Sequence, residues 1–213
     1  MNTVSKAFFQ MAIGALWTVA CTGVSHATTA TFILGYDPNQ VYMGVNVGPY
    51  PGSLTGSGAT EFFCLNLDKP AAFDTSYPGT VSEPVGQSED EVAFLSAYLL
   101  SKGSPGSDPN FVQQYEGPIS FAIWQIMGTL GSTAPDPAAA QFVTLAQNAY
   151  NQGLITTAFL SNFLVFTPDN DSIQSFITVV GNVPAPEPGT MLLLGSGLLA
   201  AVLFAWRWRK PVG

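Results

Sequence analysis

Beyond its N-terminal segment, the chain alternates apolar and polar positions in the way that β-strands do. β-Branched and aromatic residues fill 28–47 on both sides of a turn at 37–39, which predicts a hairpin-like pair of strands. Residues 49–60 are rich in Gly, Ser and Pro and predict a loop. Residues 61–68 alternate again and predict a strand. Residues 69–87 contain three prolines and two glycines and predict a long connection that is partly short strand.

The apolar positions then change to helical spacing. Ser88 with Glu91 three positions later has the form of a capping box and predicts the start of a helix, which Gly103 ends. Pro118 breaks the next periodic stretch and suits the first turn of a new helix, whose apolar residues form one strongly buried face. Pro137 predicts the start of a third helix.

Two further strands close the pattern. Residues 163–169 and 172–180 are rich in Phe, Val and Ile and flank a turn at 169–171. The order of strands, helices and strands predicts an α+β domain over 28–182, in which a small strand-rich subdomain carries an insertion of about three helices.

The N-terminus predicts a signal peptide over 1–27. Lys6 precedes an apolar run, and Ser25, His26 and Ala27 fit the small-x-small rule for signal peptidase, with cleavage between Ala27 and Thr28. Lipoprotein processing at Cys21 is a second alternative, and a retained N-terminal helix is a third.

The C-terminus predicts a membrane anchor. A Pro-rich hinge at 183–189 leads into an uncharged apolar segment at 190–206, long enough for a helix of roughly 26 Å. Arg207, Arg209 and Lys210 follow within a basic tail at 207–213, which the positive-inside bias places in the cytoplasm. The preceding domain is therefore expected on the far side of the membrane.

Charge and composition exclude several classes of function. The net charge is −8, but all 14 acidic residues lie in 37–187, where only Lys69 and Lys102 are basic. Two cations against 14 anions leave this part at −12, which disfavours nucleic acid and anionic lipid as partners.

Signal-peptide cleavage would remove His26 and Cys21, leaving no histidine and a single cysteine, Cys64. Without imidazole, Ser-His and Cys-His nucleophile sites and zinc sites have no basis. We therefore expect a non-enzymatic protein without cofactor or metal. Cys64 has no partner for an intramolecular disulfide, so it must be buried, blocked or paired with another chain.

The C-terminal segment resembles the PEP-CTERM sorting signal in its three successive parts. These are Pro186-Glu187-Pro188, the apolar helix and the basic stop at Arg207, Arg209 and Lys210. The resemblance implies export by the general secretion machinery and processing by exosortase, a membrane transpeptidase of Gram-negative bacteria that make exopolysaccharide. A plain anchor with a Pro-rich linker is the alternative.

Within the domain, FCLNLD, AYLL and ISFAIWQIMG resemble the thioester-type domain of bacterial surface proteins. In that family a cysteine reacts with a glutamine four residues before the tryptophan of the AIW motif. The matching positions here are Cys64, Trp124 and Ser120. Because serine has no side-chain carbonyl for a thiolate to attack, the resemblance supports the fold and argues against the crosslink.

These observations predict an exported, membrane-tethered, non-enzymatic protein of the cell surface or exopolysaccharide matrix. The protein would face the periplasm before delivery to the surface. Two alternatives remain open: a thioester-type covalent adhesin that uses Cys64, and a plain single-pass anchored hydrolase.

Overall fold

The computed structural model describes residues 28–35, 37–59, 61–103 and 108–180. The predicted signal peptide, hinge, membrane anchor and basic tail lie outside these residues. None of the helices in the described ranges is long and apolar enough to cross a membrane.

Eight strands are present among the described residues: β1 Thr28–Leu34, β2 Val41–Tyr42, β3 Val45–Asn46, β4 Tyr50–Leu54, β5 Glu61–Cys64, β6 Ser76–Ser82, β7 Phe163–Pro168 and β8 Phe176–Val179. Six of them close into a barrel in the order β1-β4-β5-β8-β7-β6, with every neighbouring pair antiparallel. Strands β2 and β3 form a separate two-stranded sheet, here called the β2–β3 hairpin.

The helices lie between β6 and β7 in the sequence. They are α1 Gln87–Ser101, α2 Pro109–Phe111, a π-helical segment Val112–Glu116, α3 Gly117–Met127, a 3-10 turn Pro137–Ala139, α4 Ala140–Asn151 and α5 Thr157–Leu160. Helices α1, α3 and α4 pack on one another, α1 contacts β8, and α3 contacts β5. The predicted strand-rich body with a helical insertion is confirmed: among the described residues, α1, α3 and α4 are longer than ten residues, and α2 and α5 are short.

Aromatic rings fill the barrel. The ring centroid of Phe32 lies 4.6 Å from that of Phe62, 5.0 Å from that of Phe166 and 4.9 Å from that of Phe176. All four side chains are at most 1% exposed. Burial of large rings at these separations is a principal source of stability in a small barrel, because it combines apolar area with favourable edge contacts.

The predicted pairing of 28–47 is wrong in one respect. Strand β1 pairs with β4 and β6 rather than with the segment after the turn, which instead forms the β2–β3 hairpin. The loop predicted at 49–60 contains β4, although Pro51 and Gly52 give it the composition of a turn. Gly52 serves close packing: a Cβ there would lie 2.6 Å from the Ile33 carbonyl oxygen.

The start of α1 also differs from the prediction. The helix begins at Gln87 after Gly86, which has a φ of 84°, so Ser88 lies inside the first turn and does not cap it. The Val85 N–H instead donates to Glu89 Oε2 at 2.6 Å. The turn at Gly86 and the Glu89 carboxylate, which accepts from the backbone before the helix, take the place of the capping box.

The break predicted at Pro118 is a change of helix type. Helix α2, the π-helical segment and α3 follow one another without interruption, and the Gly117 N–H donates to the Val112 carbonyl oxygen. Pro118 lies in the first turn of α3, as predicted. Proline has no N–H to continue the α-helical ladder, and a wider π turn directly before it accommodates that loss.

Candidate functional site

Helix α3 meets the end of β5 through two hydrogen bonds to consecutive carbonyl groups. The Trp124 indole N–H donates to the Cys64 carbonyl oxygen at 3.0 Å, and the Thr129 hydroxyl donates to the Leu65 carbonyl oxygen at 2.6 Å. Trp124 is 1% exposed, so its N–H requires such a partner. The structure thus brings together two of the three positions in the thioester resemblance, Cys64 and Trp124.

The Cys64 thiol is free and buried. Burial raises its pKa to about 12; the Asn66 backbone N–H and the Trp124 indole oppose the rise, and the Asp68 carboxylate adds to it. Since the thiolate is the nucleophilic form, this cysteine is inert at neutral pH.

Ser120 is the third position, and it too is buried. It lies on α3 one turn before Trp124, so helical spacing puts both residues on the same side of the helix. A serine hydroxyl cannot supply the acyl group of a thioester. Gln113, Gln114 and Gln125 are exposed, which removes them as substitutes.

A second cluster, which the sequence did not indicate, joins the β2–β3 hairpin to the helices. Glu116 is 0% exposed at the end of the π-helical segment, and Gln40 is 3% exposed just before β2. Beside them, the Tyr42 hydroxyl donates to Asp136 Oδ2 at 3.0 Å. Gly117 gives the Tyr42 ring its space, because a Cβ there would lie 2.1 Å from that ring.

Burial raises the pKa of Glu116 to about 7; the adjacent Gln40 carboxamide opposes the rise, whereas the negative charges of Asp37 and Glu61 increase it. Glu116 Oε1 and Oε2 and Gln40 Oε1 accept no hydrogen bond from any protein donor. A single glutamate beside a Gly-Pro pair carries no periodicity or motif, so sequence reasoning had no signal for it.

The barrel has an open mouth with a cavity of about 630 Å³. Apolar residues from four strands line part of it, among them Ala30, Leu54, Val81 and Leu164. Its polar lining consists of Thr28, Thr29, Thr55, Ser57, Ser82 and Glu83. No aromatic ring lines this cavity, which distinguishes it from a typical ligand pocket.

Thr28 lines this mouth, and the last described strand, β8, ends at the same end of the barrel. Thr28 at the start of β1 is paired with Val81, and Val179 at the end of β8 is paired with Phe163 at the start of β7. The register of β6 on β7 joins these two pairs at one end of the barrel.

Metal-ligand groupings are absent from the described part of the chain: no three His, Cys, Asp or Glu side chains there are placed to hold an ion. The acidic turn at 169–171 is an Asx turn, in which Asn170 Oδ1 accepts from the backbone N–H and the hydroxyl of Ser172. This local bonding explains the turn without calcium.

Comparison with protein families matches residues 184–210 to the PEP-CTERM protein-sorting motif. The matched range contains Pro186-Glu187-Pro188 and the basic stop at Arg207, Arg209 and Lys210. No curated protein and no solved structure matches the chain. The chain therefore carries a C-terminal segment that matches the PEP-CTERM sorting motif, and this motif implies export, membrane anchoring in a Gram-negative bacterium and processing by exosortase.

Proposed function

We propose that the protein is a non-enzymatic component of the cell surface or exopolysaccharide matrix, delivered there by exosortase. The observation that carries this proposal is the position of the sorting motif at 184–210, directly behind a folded domain that ends in β8. An export signal followed by a folded domain and a sorting tail is the arrangement expected of a secreted substrate.

Each part of the tail has a separate physical task. Pro186 and Pro188 restrict the backbone to extended conformations, which keeps Glu187 outside the apolar helix and accessible to the membrane enzyme. The apolar segment at 190–206 stops translocation. The basic residues after it fix the orientation, because moving them across the membrane is unfavourable.

The geometry of the barrel gives the tethered domain an orientation. Nine residues, 181–189, separate Val180 from the predicted anchor, and an extended chain of that length reaches at most about 30 Å. Since β8 ends at the barrel mouth, the mouth side would face the membrane, and α3 with the far end of β5 would face away from it.

The chemistry of the domain supports a role without catalysis. Cys64 is the cysteine of the described residues, and its thiol is buried and protonated at neutral pH. Residues 28–213 contain no histidine to act as a general base. Binding or structural work in the matrix needs neither group.

The test replaces Pro186-Glu187-Pro188 with three alanines in an exosortase-bearing host. We expect the wild-type protein to leave the inner membrane for the surface or matrix fraction and the variant to remain in the membrane. A matched control converts Pro70 and Pro135, which are exposed and lie outside helices and strands, to alanine, and so alters the proline content without altering the tail. If wild type and the triple-alanine variant stay in the membrane to the same extent, the result would favour the plain anchored hydrolase and contradict sorting.

A thioester-type adhesin is a second candidate, because Trp124 lies beside Cys64 and its indole N–H donates to the Cys64 carbonyl oxygen at 3.0 Å. Its test is the intact mass of the purified protein. A deficit of one ammonia that Cys64→Ser abolishes would establish the crosslink. The full mass with a titratable thiol, which we expect, would end this candidate.

A further inference from the structure

We propose that Glu116 is a neutral carboxylic acid that donates its proton to Gln40 Oε1, and that this proton fastens the β2–β3 hairpin to the π-helical segment. The inference concerns the folded domain alone, so it does not depend on the sorting proposal. It rests on the contacts, burial and charges of one cluster.

The Glu116–Gln40 pair lacks hydrogen-bond donors for its buried oxygens. The buried side-chain oxygens without a donor in the described ranges are Gln40 Oε1, Glu116 Oε1 and Glu116 Oε2, and all three belong to this pair. Leaving such groups unpaired is unfavourable, and a buried ionised carboxylate without a partner is more unfavourable still. One proton on Glu116 supplies the missing donor, because a protonated carboxyl group both donates and accepts.

Hydrogen bonds hold Gln40 in place through both its side chain and its backbone. The side-chain Nε2 donates to the Pro49 carbonyl oxygen at 3.0 Å, and the backbone carbonyl oxygen of Gln40 accepts from the Val47 N–H at 2.9 Å. These bonds span the base of the hairpin on both sides. Nε2 has a second N–H, but neither Glu116 oxygen accepts a hydrogen bond from it, so the unpaired Oε1 is the atom of Gln40 that can accept from Glu116.

The charged groups near the Glu116 carboxyl group are negative and favour its neutral form. The charged groups that act on Glu116 are Asp37, in the turn before β2, and Glu61, at the start of β5. Both are negative, and burial acts in the same direction by favouring the neutral form. Asp136, on the element next to α3, is already engaged by the Tyr42 hydroxyl.

A cation is the competing occupant of this position. Calcium prefers six to eight oxygen ligands, commonly several carboxylates. The described residues contain no group of three acidic, His or Cys side chains that could hold a metal. One carboxyl group and one amide oxygen are too few for calcium and sufficient for a proton.

The attachment of the β2–β3 hairpin to the π-helical segment should therefore depend on pH. Because the folded-state pKa of Glu116, about 7, lies above the ordinary glutamate value of 4.5, its contribution is fully present only below pH 4.5. It is lost as the pH rises through about 7, where the ionised carboxylate faces Asp37 and Glu61. The β2–β3 hairpin should then loosen before the barrel does.

The experiment measures amide hydrogen exchange of the full-length protein between pH 5 and 9, corrected for the intrinsic rate at each pH. Protection of the hairpin amides, Val47 among them, should fall by up to about tenfold per pH unit as the pH rises to about 7 and level off above it, because Glu116 is then ionised in the closed and open states alike; barrel amides should change little. Glu116→Gln, which keeps the shape and supplies a permanent N–H donor, should remove this dependence. The exposed Glu83→Gln is the matched control and should keep it.

A second measurement is independent of any variant's ability to fold. The carboxyl carbon of Glu116, followed by NMR in the wild-type chain, should titrate near neutral pH. A carboxylate already ionised at pH 5, or hairpin protection without pH dependence, would overturn the proposal. So would a gain in protection on adding calcium at pH 8 in wild type and not in Glu116→Gln, because a cation would then be the occupant.

Discussion

At the scale of single residues, the environment of a side chain decides its chemistry. The Trp124 indole lies against the Cys64 backbone, yet burial leaves the thiol with a pKa of about 12, and the Ser120 side chain offers no acyl group. The sequence alone identified the missing glutamine. It could not show that the thiol is sealed, because burial depends on the packing of α3 against β5.

The reactivity of Cys64 provides a prediction at this scale. In the folded, mature protein at pH 8 the thiol should not react with a disulfide reagent over the time in which an exposed thiol reacts fully. After unfolding in guanidinium chloride, one thiol per chain should titrate, because the thiolate becomes accessible. Rapid labelling of the folded protein would contradict the buried, protonated thiol.

At the scale of elements, local signals succeeded where they coincide with packing. Pro118 and Pro137 begin helices as predicted, because proline fits a first helical turn whatever surrounds it. The strand β4 was missed because Pro51 and Gly52 have the composition of a loop, whereas Gly52 is required by its neighbour across the sheet. The pairing of β1 with β6 spans nearly fifty residues, and no local pattern encodes it.

The contact between the β2–β3 hairpin and α3 gives the second prediction. Alanine normally stabilises a helix relative to glycine by about 1 kcal/mol. Gly117→Ala should instead destabilise the protein by roughly 1–3 kcal/mol, because the new Cβ would overlap the Tyr42 ring. The free energy of unfolding, measured by denaturant titration, checks this sign.

A double-mutant cycle separates the overlap from other effects. In a Tyr42→Ala background the overlap partner is absent, so Gly117→Ala should no longer be destabilising. Equal losses from Gly117→Ala in both backgrounds would show that the Tyr42 contact is not the cause.

At the scale of the whole molecule, the domain begins and ends at the barrel mouth, and the sorting motif follows its last strand. This arrangement agrees with a chain that is cut at one side of the mouth and tethered at the other. The sequence patterns did not point to a ligand for the domain, because a surface that binds without catalysis needs no fixed spacing of reactive residues.

The processing of the N-terminus is a third prediction. Strand β1 starts at Thr28, so cleavage after Ala27 would leave the barrel intact. N-terminal sequencing of the exported protein should therefore begin at Thr28. A lipid-modified N-terminus at Cys21 would instead support lipoprotein processing.

The most direct test of the central claim is the mass of the C-terminus. The protein is expressed in an exosortase-bearing strain and in the matched strain without exosortase, and its C-terminal peptide is measured by mass spectrometry in each. The sorting account predicts loss of the apolar segment at 190–206 and the basic tail only where exosortase is present. An unchanged C-terminal mass in both strains would contradict it.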